Sequence, residues 1–326
     1  MSLSDVTPDM IVQQRRLRRR LTLWRVLAIL AIVAAGAILF GALAGSDGVR
    51  GPHIARLSIG GLITSDKGTQ ELLGKLAEDE NVAALILDID SPGGTTAGSE
   101  ALYLALREVA AKKPVVSTVS NTAASGAYIA AMGSDHIVAR GNAIVGSVGV
   151  IFQWPDVTEL LEELGIDLRA IKSSPLKAEP DLTEPTPPEA IETLEAMVAD
   201  TQDWFTGLVR ERRDIAEDRF DLVTSGRVFT GRQSLELGLI DAIGGEAEAR
   251  AYLATRDVDA DLEIADREPE SAVEDVPWLR ALASAALREI GLPVLADALR
   301  GVSQSRGLVS LDGLLAVWHP SLASPR

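Results

Sequence analysis

The chain has 326 residues, of which 47% are hydrophobic, so it can form one large domain or two ordinary ones with a buried core. Its formal net charge of −16 argues against a nucleic-acid partner, because phosphate binding needs clustered Lys and Arg, and the basic cluster here is confined to the N-terminus. The chain has no cysteine, which excludes disulfides, a thiolate nucleophile and cysteine-ligated zinc.

The N-terminal part of the chain has the pattern of a membrane anchor. Five arginines lie between residues 15 and 20, and residues 26–44 follow without a charge. About 20 apolar residues match the hydrocarbon thickness of a bilayer. We therefore predict a basic cytoplasmic tail over 1–20, a transmembrane helix over 21–45 and, by the positive-inside rule, an extracytoplasmic remainder. A cleaved signal peptide is the alternative, since Ala42-Leu43-Ala44 is an acceptable cleavage site.

The remaining sequence predicts an α/β fold. A Gly-rich linker over 46–53 leads into an alternating strand that begins at Ile54. Residues 82–89 form a continuous apolar run, which is typical of a central strand in a sheet covered by helices on both faces. Helical and strand patterns alternate around it, with helices predicted over 69–80, 97–111 and 126–132 and strands over 114–119 and 136–139.

Ser125 lies among small residues after the 114–119 strand. Residues 120–128 are Ser-Asn-Thr-Ala-Ala-Ser-Gly-Ala-Tyr, and an apolar helical stretch begins at Gly126. A strand, a sharp turn and a helix start would place Ser125 beside backbone N–H groups that lack helical partners, as a nucleophile requires. The alternative is that Ser125 only caps the helix.

Paired glycines follow the central strand, in the segment Asp90-Ser91-Pro92-Gly93-Gly94-Thr95-Thr96. Glycines between a strand and a helix N-terminus allow backbone N–H groups to point into a cleft, as an oxyanion requires. A phosphate-binding loop is the alternative, but the segment has neither the Gly-Lys-Ser/Thr of a Walker motif nor a G-x-G-x-x-G pattern.

A nucleophilic serine needs a base, and histidine is the usual one. The chain has three histidines, and His136 follows Ser125 by only eleven residues, so a Ser125–His136–Asp arrangement stays open. The scarcity of histidine argues against a zinc site, and we expect no metal. A buried lysine that loses its proton is the other candidate base, and Lys177 lies between Leu176 and Ala178, outside the charged stretches.

Six segments of the chain occur in the order found in one protease family. They are the N-terminal anchor, Asp90-Ser91-Pro92-Gly93-Gly94, Ala124–Tyr128, Gly146-Ser147-Val148-Gly149-Val150, Lys172–Lys177 and Gly226–Ser234. Together they cover about residues 54 to 250 and resemble the short signal peptide peptidase A branch of the S49 family of serine–lysine membrane proteases.

The resemblance implies a catalytic dyad of serine and lysine. It makes Ser125 the nucleophile and Lys177 the general base, with Lys172 as the rival base in the same motif. Ser147 would hydrogen-bond the lysine and orient it, because a hydroxyl partner does not force the amine to stay charged.

The resemblance also implies supporting residues and a fold. Gly94 would donate its backbone N–H to the oxyanion, Gly126 would support the site beside the nucleophile, and Tyr128 would shape the cleft. The implied fold is a crotonase/ClpP-like ββα spiral with one N-terminal transmembrane helix, and no cofactor is implied.

The function implied by the resemblance is hydrolysis of remnant signal peptides and other unfolded membrane-derived peptides by a membrane-anchored serine endopeptidase. The protease domain would span 54–256, outside the bacterial inner membrane, in a homo-oligomer, an octamer by the same resemblance. An acidic linker is predicted over 257–275 and a C-terminal helical extension over 276–326. Within this extension, the pattern of residues 308–326 predicts no particular structure.

Two other functions stay open. A crotonase-type acyl-CoA enzyme would use the same paired backbone amides and would be recognised by CoA binding. A membrane scaffold would have the same anchor and no peptidase activity.

Overall fold

The computed structural model describes residues 51–269 and the backbone of residues 315–317. The predicted cytoplasmic tail, the transmembrane helix and the appended helix over 276–300 lie outside the described residues. Within the part of the chain that is described, no helix is both long and apolar enough to cross a bilayer.

The described residues form nine strands and eight helices. The strands are β1 (His53–Ile63), β2 (Val82–Thr95), β3 (Val115–Ala124), β4 (His136–Ala139), β5 (Ile144–Gly146), β6 (Val228–Thr230), β7 (Ala242–Ile243), β8 (Ile264–Arg267) and β9 (Leu315–Val317). The helices are α1 (Lys67–Glu78), α2 (Thr96–Ala110), α3 (Gly126–Ala131), α4 (Thr158–Glu163), α5 (Pro188–Arg212), α6 (Glu217–Val223), α7 (Gly231–Glu236) and α8 (Glu246–Ala254). The helices predicted over 69–80, 97–111 and 126–132 are confirmed, each end within two residues.

The described strands belong to one mixed sheet, with the central order β6-β5-β3-β2-β1-β8. β8, β1, β2 and β3 pair in parallel, and β3 also pairs in parallel with β4 and β5. β5 pairs with β6 and β2 pairs with β9 in the antiparallel sense. The predicted α/β class is therefore confirmed, with a mixed sheet.

β2 is the central strand, as its apolar run predicts. Leu85, Leu87 and Ile89 lie in a large core cluster together with residues of α1, α2, α3 and α5, whereas Ala84 and Ile86 lie in a smaller cluster with residues of α8. Because alternate residues of a strand point to opposite faces, this division shows that both faces are covered. Each buried Leu or Ile contributes about 2 kcal/mol as an upper estimate. The sheet is thus a rigid base for the residues at the carboxyl ends of its strands.

The glycine pair is part of β2 and not of a loop after it. β2 continues to Thr95 because β1 pairs with this end, through Leu62 opposite Gly93 and Ile63 opposite Gly94. The register shifts between Gly60 and Leu62, so a bulge bends β1 beside the glycines. The segment therefore has strand geometry, which holds its backbone groups in fixed directions.

The predicted acidic linker over 257–275 is wrong at residues 264–267, which form β8 and pair with β1. Ala265 is buried, and Asp266 accepts two hydrogen bonds from the Arg56 guanidinium, at 2.5 and 2.9 Å. The hydrogen bonds from Arg56 lower the pKa of Asp266. A tertiary ion pair thus places an acidic segment at the edge of the sheet, which a local count of charges does not predict.

Candidate active site

Ser125 lies between β3 and α3 in a strained backbone conformation. Its φ is +57° and its ψ −118°, a region that costs a residue with a Cβ about 1–3 kcal/mol. Its N–H donates to the Gly146 carbonyl at 2.8 Å, and its own carbonyl accepts from the N–H groups of Tyr128 and Ile129. β5 and the first turn of α3 therefore hold the serine from two sides, in the strand-to-helix turn typical of a nucleophile.

The side chain of Ser125 does not cap α3. It makes no cap hydrogen bond, and its Oγ instead donates to the carbonyl oxygen of Gly149 at 3.3 Å. The residue is fully buried in the described part of the chain. The capping alternative is therefore wrong, and the hydroxyl faces the segment that follows β5.

The segment 146–149 forms a second turn beside Ser125. Ser147 has φ +52°, and its N–H donates to the Arg227 carbonyl at 2.7 Å. Because β6 pairs with β5 here, the motif over 226–234 braces the segment that receives the Ser125 hydroxyl. The motif thus has a structural role next to the site.

Gly94 lies where no side chain fits. A Cβ at this position would lie 1.8 Å from the carbonyl oxygen of Ile63, across the pair of β1 and β2. Gly93 has φ +106°, and its N–H donates to Ser91 Oγ at 3.1 Å. The glycine pair is therefore a bare and rigid stretch of backbone, which suits N–H groups that must meet a developing negative charge.

Gly126 and Tyr128 belong to α3 directly after the nucleophile candidate. Tyr128 is fully buried, and its hydroxyl donates to the Leu239 carbonyl at 2.8 Å. Burial raises the pKa of Tyr128. The structure thus places Tyr128 in the core behind α3, where its contact with Leu239 fixes the helix that begins at the site.

Lys172 is surrounded by carboxylates. Its Nζ lies 2.8 Å from Glu179 Oε1 and 3.5 Å from both Asp181 Oδ2 and Glu184 Oε2. The hydrogen bond to Glu179 is the main reason that the pKa of Lys172 is raised. An ammonium held by three acids keeps its proton, so the geometry argues against Lys172 as the general base.

Lys177 lies at the outside of the same loop. Its backbone N–H donates to the Ser174 carbonyl at 3.1 Å, and its side chain is exposed. Among the described residues, no hydrogen bond or ion pair joins Lys177 to Ser125 or to Ser147. The structure therefore brings Ser125, Gly126 and Ser147 together and leaves the proposed base apart from them within one chain.

His136 does not serve Ser125, which corrects the alternative triad. His136 pairs with Val116 near the start of β3, whereas Ser125 follows its end, and eight strand residues at about 3.3 Å each separate the two by roughly 25 Å. The His136 ring stacks on Tyr252 at 4.1 Å, and its Nδ1 lies 3.8 Å from Asp241 Oδ2. Burial lowers the pKa of His136, and the nearby Asp241 carboxylate raises it by a smaller amount.

Within residues 51–269, no group of three or more His, Cys, Asp or Glu side chains is arranged to hold a metal ion.

Two site residues were not predicted from the sequence. The carbonyl of Gly149 accepts a hydrogen bond from the Ser125 hydroxyl. The sequence feature that could have indicated Gly149 is the small-residue motif that also contains Ser147. Glu179 is the main ion-pair partner of Lys172. The sequence feature that could have indicated this pair is the group of acidic residues at 179, 181 and 184, shortly after that lysine. Neither pairing is visible in the spacing of the residues.

The chain is similar to known proteases. Residues 107–260 match peptidase family S49. A predicted protease of Synechocystis sp. is 38% identical over 205 residues, which cover 62% of this chain and 73% of that protein. A predicted signal peptide peptidase A of Enterococcus faecium is 30% identical over 220 residues, which cover 62% of this chain and 63% of that protein.

Among solved structures, a membrane-bound stomatin-specific protease has 19% sequence identity and a TM-score of 0.41, with 68% of this chain and 100% of that chain covered. On the sequence comparisons, the chain belongs to peptidase family S49 and is a serine peptidase.

Proposed function

We propose that the chain is a membrane-anchored serine endopeptidase in which Ser125 and Lys177 form the catalytic dyad. The observation that carries the proposal is the strained backbone of Ser125, with φ +57° and no capping hydrogen bond. Strain of this kind persists where the surrounding structure enforces it, and it concentrates at catalytic residues. The position at a strand-to-helix turn adds the N–H of Gly126 as a neighbouring donor.

The contacts of the two lysines favour Lys177 as the base. Three carboxylates surround Lys172 and stabilise its charged form. Lys177 has no acidic partner among the described residues, so removal from water would favour its neutral amine.

A second copy of the chain is the natural source of that burial. The segment around Lys177 exposes many large apolar side chains, and monomeric proteins rarely expose patches of this kind. They are Ile151, Leu160, Leu164, Ile166, Leu168, Ile171, Leu176 and Leu182. A neighbouring subunit that covers this surface would bury Lys177 and bring it to the Ser125 of that neighbour. The resulting homo-oligomer would be an octamer by the family resemblance.

The proposed reaction is hydrolysis through an acyl-enzyme. The neutral Lys177 amine takes the proton of the Ser125 hydroxyl as Oγ attacks the peptide carbonyl carbon. Backbone N–H groups at Gly94 and Gly126 donate to the oxyanion, and one such donor is typically worth about 3 kcal/mol. The lysine then gives its proton to the leaving amine, and water, activated by the same amine, releases the acyl group. Ser147 would orient the amine.

The proposed substrates are remnant signal peptides and other unfolded membrane-derived peptides. The name of the Enterococcus faecium relative supports this class. We place the site on the extracytoplasmic side of the bacterial inner membrane, because the sequence predicts an anchor over 21–45 with a basic tail before it. We assign the α/β domain to the crotonase/ClpP-like ββα spiral.

The dyad is tested with single variants of the full chain and a quenched fluorogenic peptide of apolar sequence. We expect Ser125→Ala and Lys177→Met each to abolish hydrolysis. Ser120→Ala, an exposed serine on β3, and Lys67→Met, an exposed lysine at the start of α1, are the matched controls and should keep it. Hydrolysis that survives either site variant would overturn the dyad, and no hydrolysis by the parent would favour a scaffold.

The shared site is tested by coexpressing Ser125→Ala and Lys177→Met chains. If each site combines a serine from one subunit with a lysine from the next, random assembly restores roughly a quarter of the parent activity. A mixture that stays inactive would place both dyad residues in one chain.

A further inference from the structure

The turn that follows α3 is held by two arginines from other helices. Arg212, the last residue of α5, donates from Nε to the Met132 carbonyl and from Nη2 to the Ser134 carbonyl, both at 3.0 Å. Arg107 of α2 donates from Nη1 to the Gly133 carbonyl at 3.1 Å. Carbonyls at the end of a helix have no partner within the helix, and a charged donor bonds them about twice as strongly as a neutral one. We call these three carbonyl-bearing residues the braced turn.

The braced turn lies at the far end of the helix that begins beside Ser125. α3 runs from Gly126 to Ala131, and Met132 follows it, so about 10 Å of helix separates the turn from the nucleophile candidate. Met132 and Ser134 are both buried. Because a helix this short shifts as one body, the contacts that fix the braced turn also fix the backbone that leaves Ser125.

The braced turn also connects the parts of the candidate site. α2 begins at Thr96, two residues after Gly94, and supplies Arg107. α5 follows the loop that carries Lys177 and supplies Arg212. Three helices, each of which follows one part of the candidate site in the chain, therefore meet at this turn.

The strain at Ser125 requires support on both sides of the residue. A backbone with φ +57° persists only where the surrounding structure enforces it. On the N-terminal side, the N–H of Ser125 is bound to the Gly146 carbonyl. On the C-terminal side the chain enters α3, and a loose far end would let that helix shift until the strain relaxed.

We propose that Arg212 is a positioning residue for catalysis, which holds α3 so that Ser125 keeps its strained backbone and the N–H of Gly126 keeps its orientation. Its effect on hydrolysis rests on the proposed peptidase function, whereas its effect on the strain is measured without hydrolysis. Arg107 supports the same turn through one carbonyl, and Arg212 through two.

Kinetics of the full chain test the effect on catalysis. In Arg212→Gln the braced turn loses a charged donor to two carbonyls, so we expect kcat for an apolar fluorogenic peptide to fall at least about tenfold, with KM changed less than about twofold. Arg212→Lys keeps the charge without the fork of donors and should show a smaller fall in kcat. Arg210→Gln, on the same helix with an exposed ion pair to Glu217, is the matched control and should match the parent. An unchanged kcat in Arg212→Gln, or an equal fall in Arg210→Gln, would overturn the proposal.

A stability comparison tests the strain itself. Ser125→Gly removes the strained Cβ and Ser125→Ala keeps it, so with Arg212 present we expect their equilibrium constants of unfolding in urea to differ roughly fivefold. In the Arg212→Gln background α3 can shift and the strain relaxes, so this ratio should fall below about twofold. The Arg210→Gln background should keep the fivefold ratio. An equal ratio with and without Arg212 would overturn the proposal.

The stability comparison also separates this proposal from the proposed dyad. A ratio that falls as expected, in a chain that hydrolyses no peptide, would keep the role of Arg212 at α3 and reject the peptidase function. Where Arg212→Gln does not fold, Arg212→Lys replaces it in both experiments, and a parent-like kcat and ratio in that variant would overturn the proposal.

Discussion

The hydroxyl of Ser125 donates to the carbonyl oxygen of Gly149 at 3.3 Å. A hydroxyl in this bond keeps its proton, because a carbonyl is too weak a base to take it. In the observed arrangement the backbone of Ser125 is already strained and its hydroxyl is protonated. In the proposed dyad, the Ser125 side chain would turn away from Gly149 towards a lysine supplied by a neighbouring subunit.

The strain at Ser125 predicts a difference between two inactive variants. Ser125→Ala keeps a Cβ at φ +57°, whereas Ser125→Gly removes it. We expect both variants to lose hydrolysis and the free energy of unfolding of Ser125→Gly to exceed that of Ser125→Ala by about 1 kcal/mol. Urea denaturation followed by tryptophan fluorescence measures the difference. A less stable Ser125→Gly would show that the conformation costs little.

Contacts at the two glycines Gly94 and Gly74 predict opposite effects of a single methyl group. In Gly94→Ala the new Cβ would lie 1.8 Å from the Ile63 carbonyl, so β1 and β2 must separate at the site. We expect a loss of about 1–3 kcal/mol of stability and no hydrolysis. Gly74→Ala, on α1 with no atom beyond its chain neighbours and its own helix backbone within 4 Å of the new Cβ, should gain up to about 1 kcal/mol and keep activity. Thermal unfolding and a peptidase assay compare them, and a tolerated Gly94→Ala would reject the close backbone approach.

The carboxylates around Lys172 predict that this lysine positions the loop that carries Lys177. Lys172→Gln leaves Glu179, whose side chain is 6% exposed, without its cation, so the loop should lose its fixed shape. We expect kcat to fall on the order of 100-fold while KM changes little, because displacement of Lys177, the proposed base, would affect the chemical step. Lys172→Arg should restore much of kcat.

Arg169→Gln is the matched control for this prediction, because its ion pair with Asp167 is exposed on both sides. Exposed pairs contribute at most about 1 kcal/mol, so kinetics should match the parent. Equal kinetics of Lys172→Gln and Arg169→Gln would show that the carboxylate cluster has no part in placing Lys177.

The depressed pKa of His136 predicts a pH effect on stability that is independent of catalysis. Because the folded pKa lies below the unfolded value, the unfolded chain binds the proton first, and stability falls as pH drops below about 6.5. We expect His136→Gln to reduce this fall between about pH 7 and pH 5 and to keep hydrolysis, since His136 lies roughly 25 Å from Ser125 along β3. Urea midpoints across that range measure it. An unchanged slope, or lost activity, would contradict the assignment.

The sequence by itself determined the class of the fold and the identity of the nucleophile candidate. β2 is apolar on both faces, so its place at the centre of the sheet follows from composition alone. Ser125 lies among small residues between a strand pattern and a helix pattern. The change in the spacing of apolar residues from one pattern to the other is enough to place Ser125 at a turn. Both conclusions depend only on residues that lie close together in the sequence.

Tertiary structure decided the partners of these residues, because hydrogen bonds and ion pairs between distant segments leave no period in the sequence. It rejected His136 by placing it at the other end of β3, and it assigned Lys172 to three carboxylates. Part of the predicted acidic linker forms β8, which pairs with β1 and is joined to it by the ion pair of Arg56 and Asp266. Tertiary structure also placed Leu315–Val317 on the backbone of the glycine pair, since strand pairing uses main-chain groups that every residue carries and no local pattern specifies.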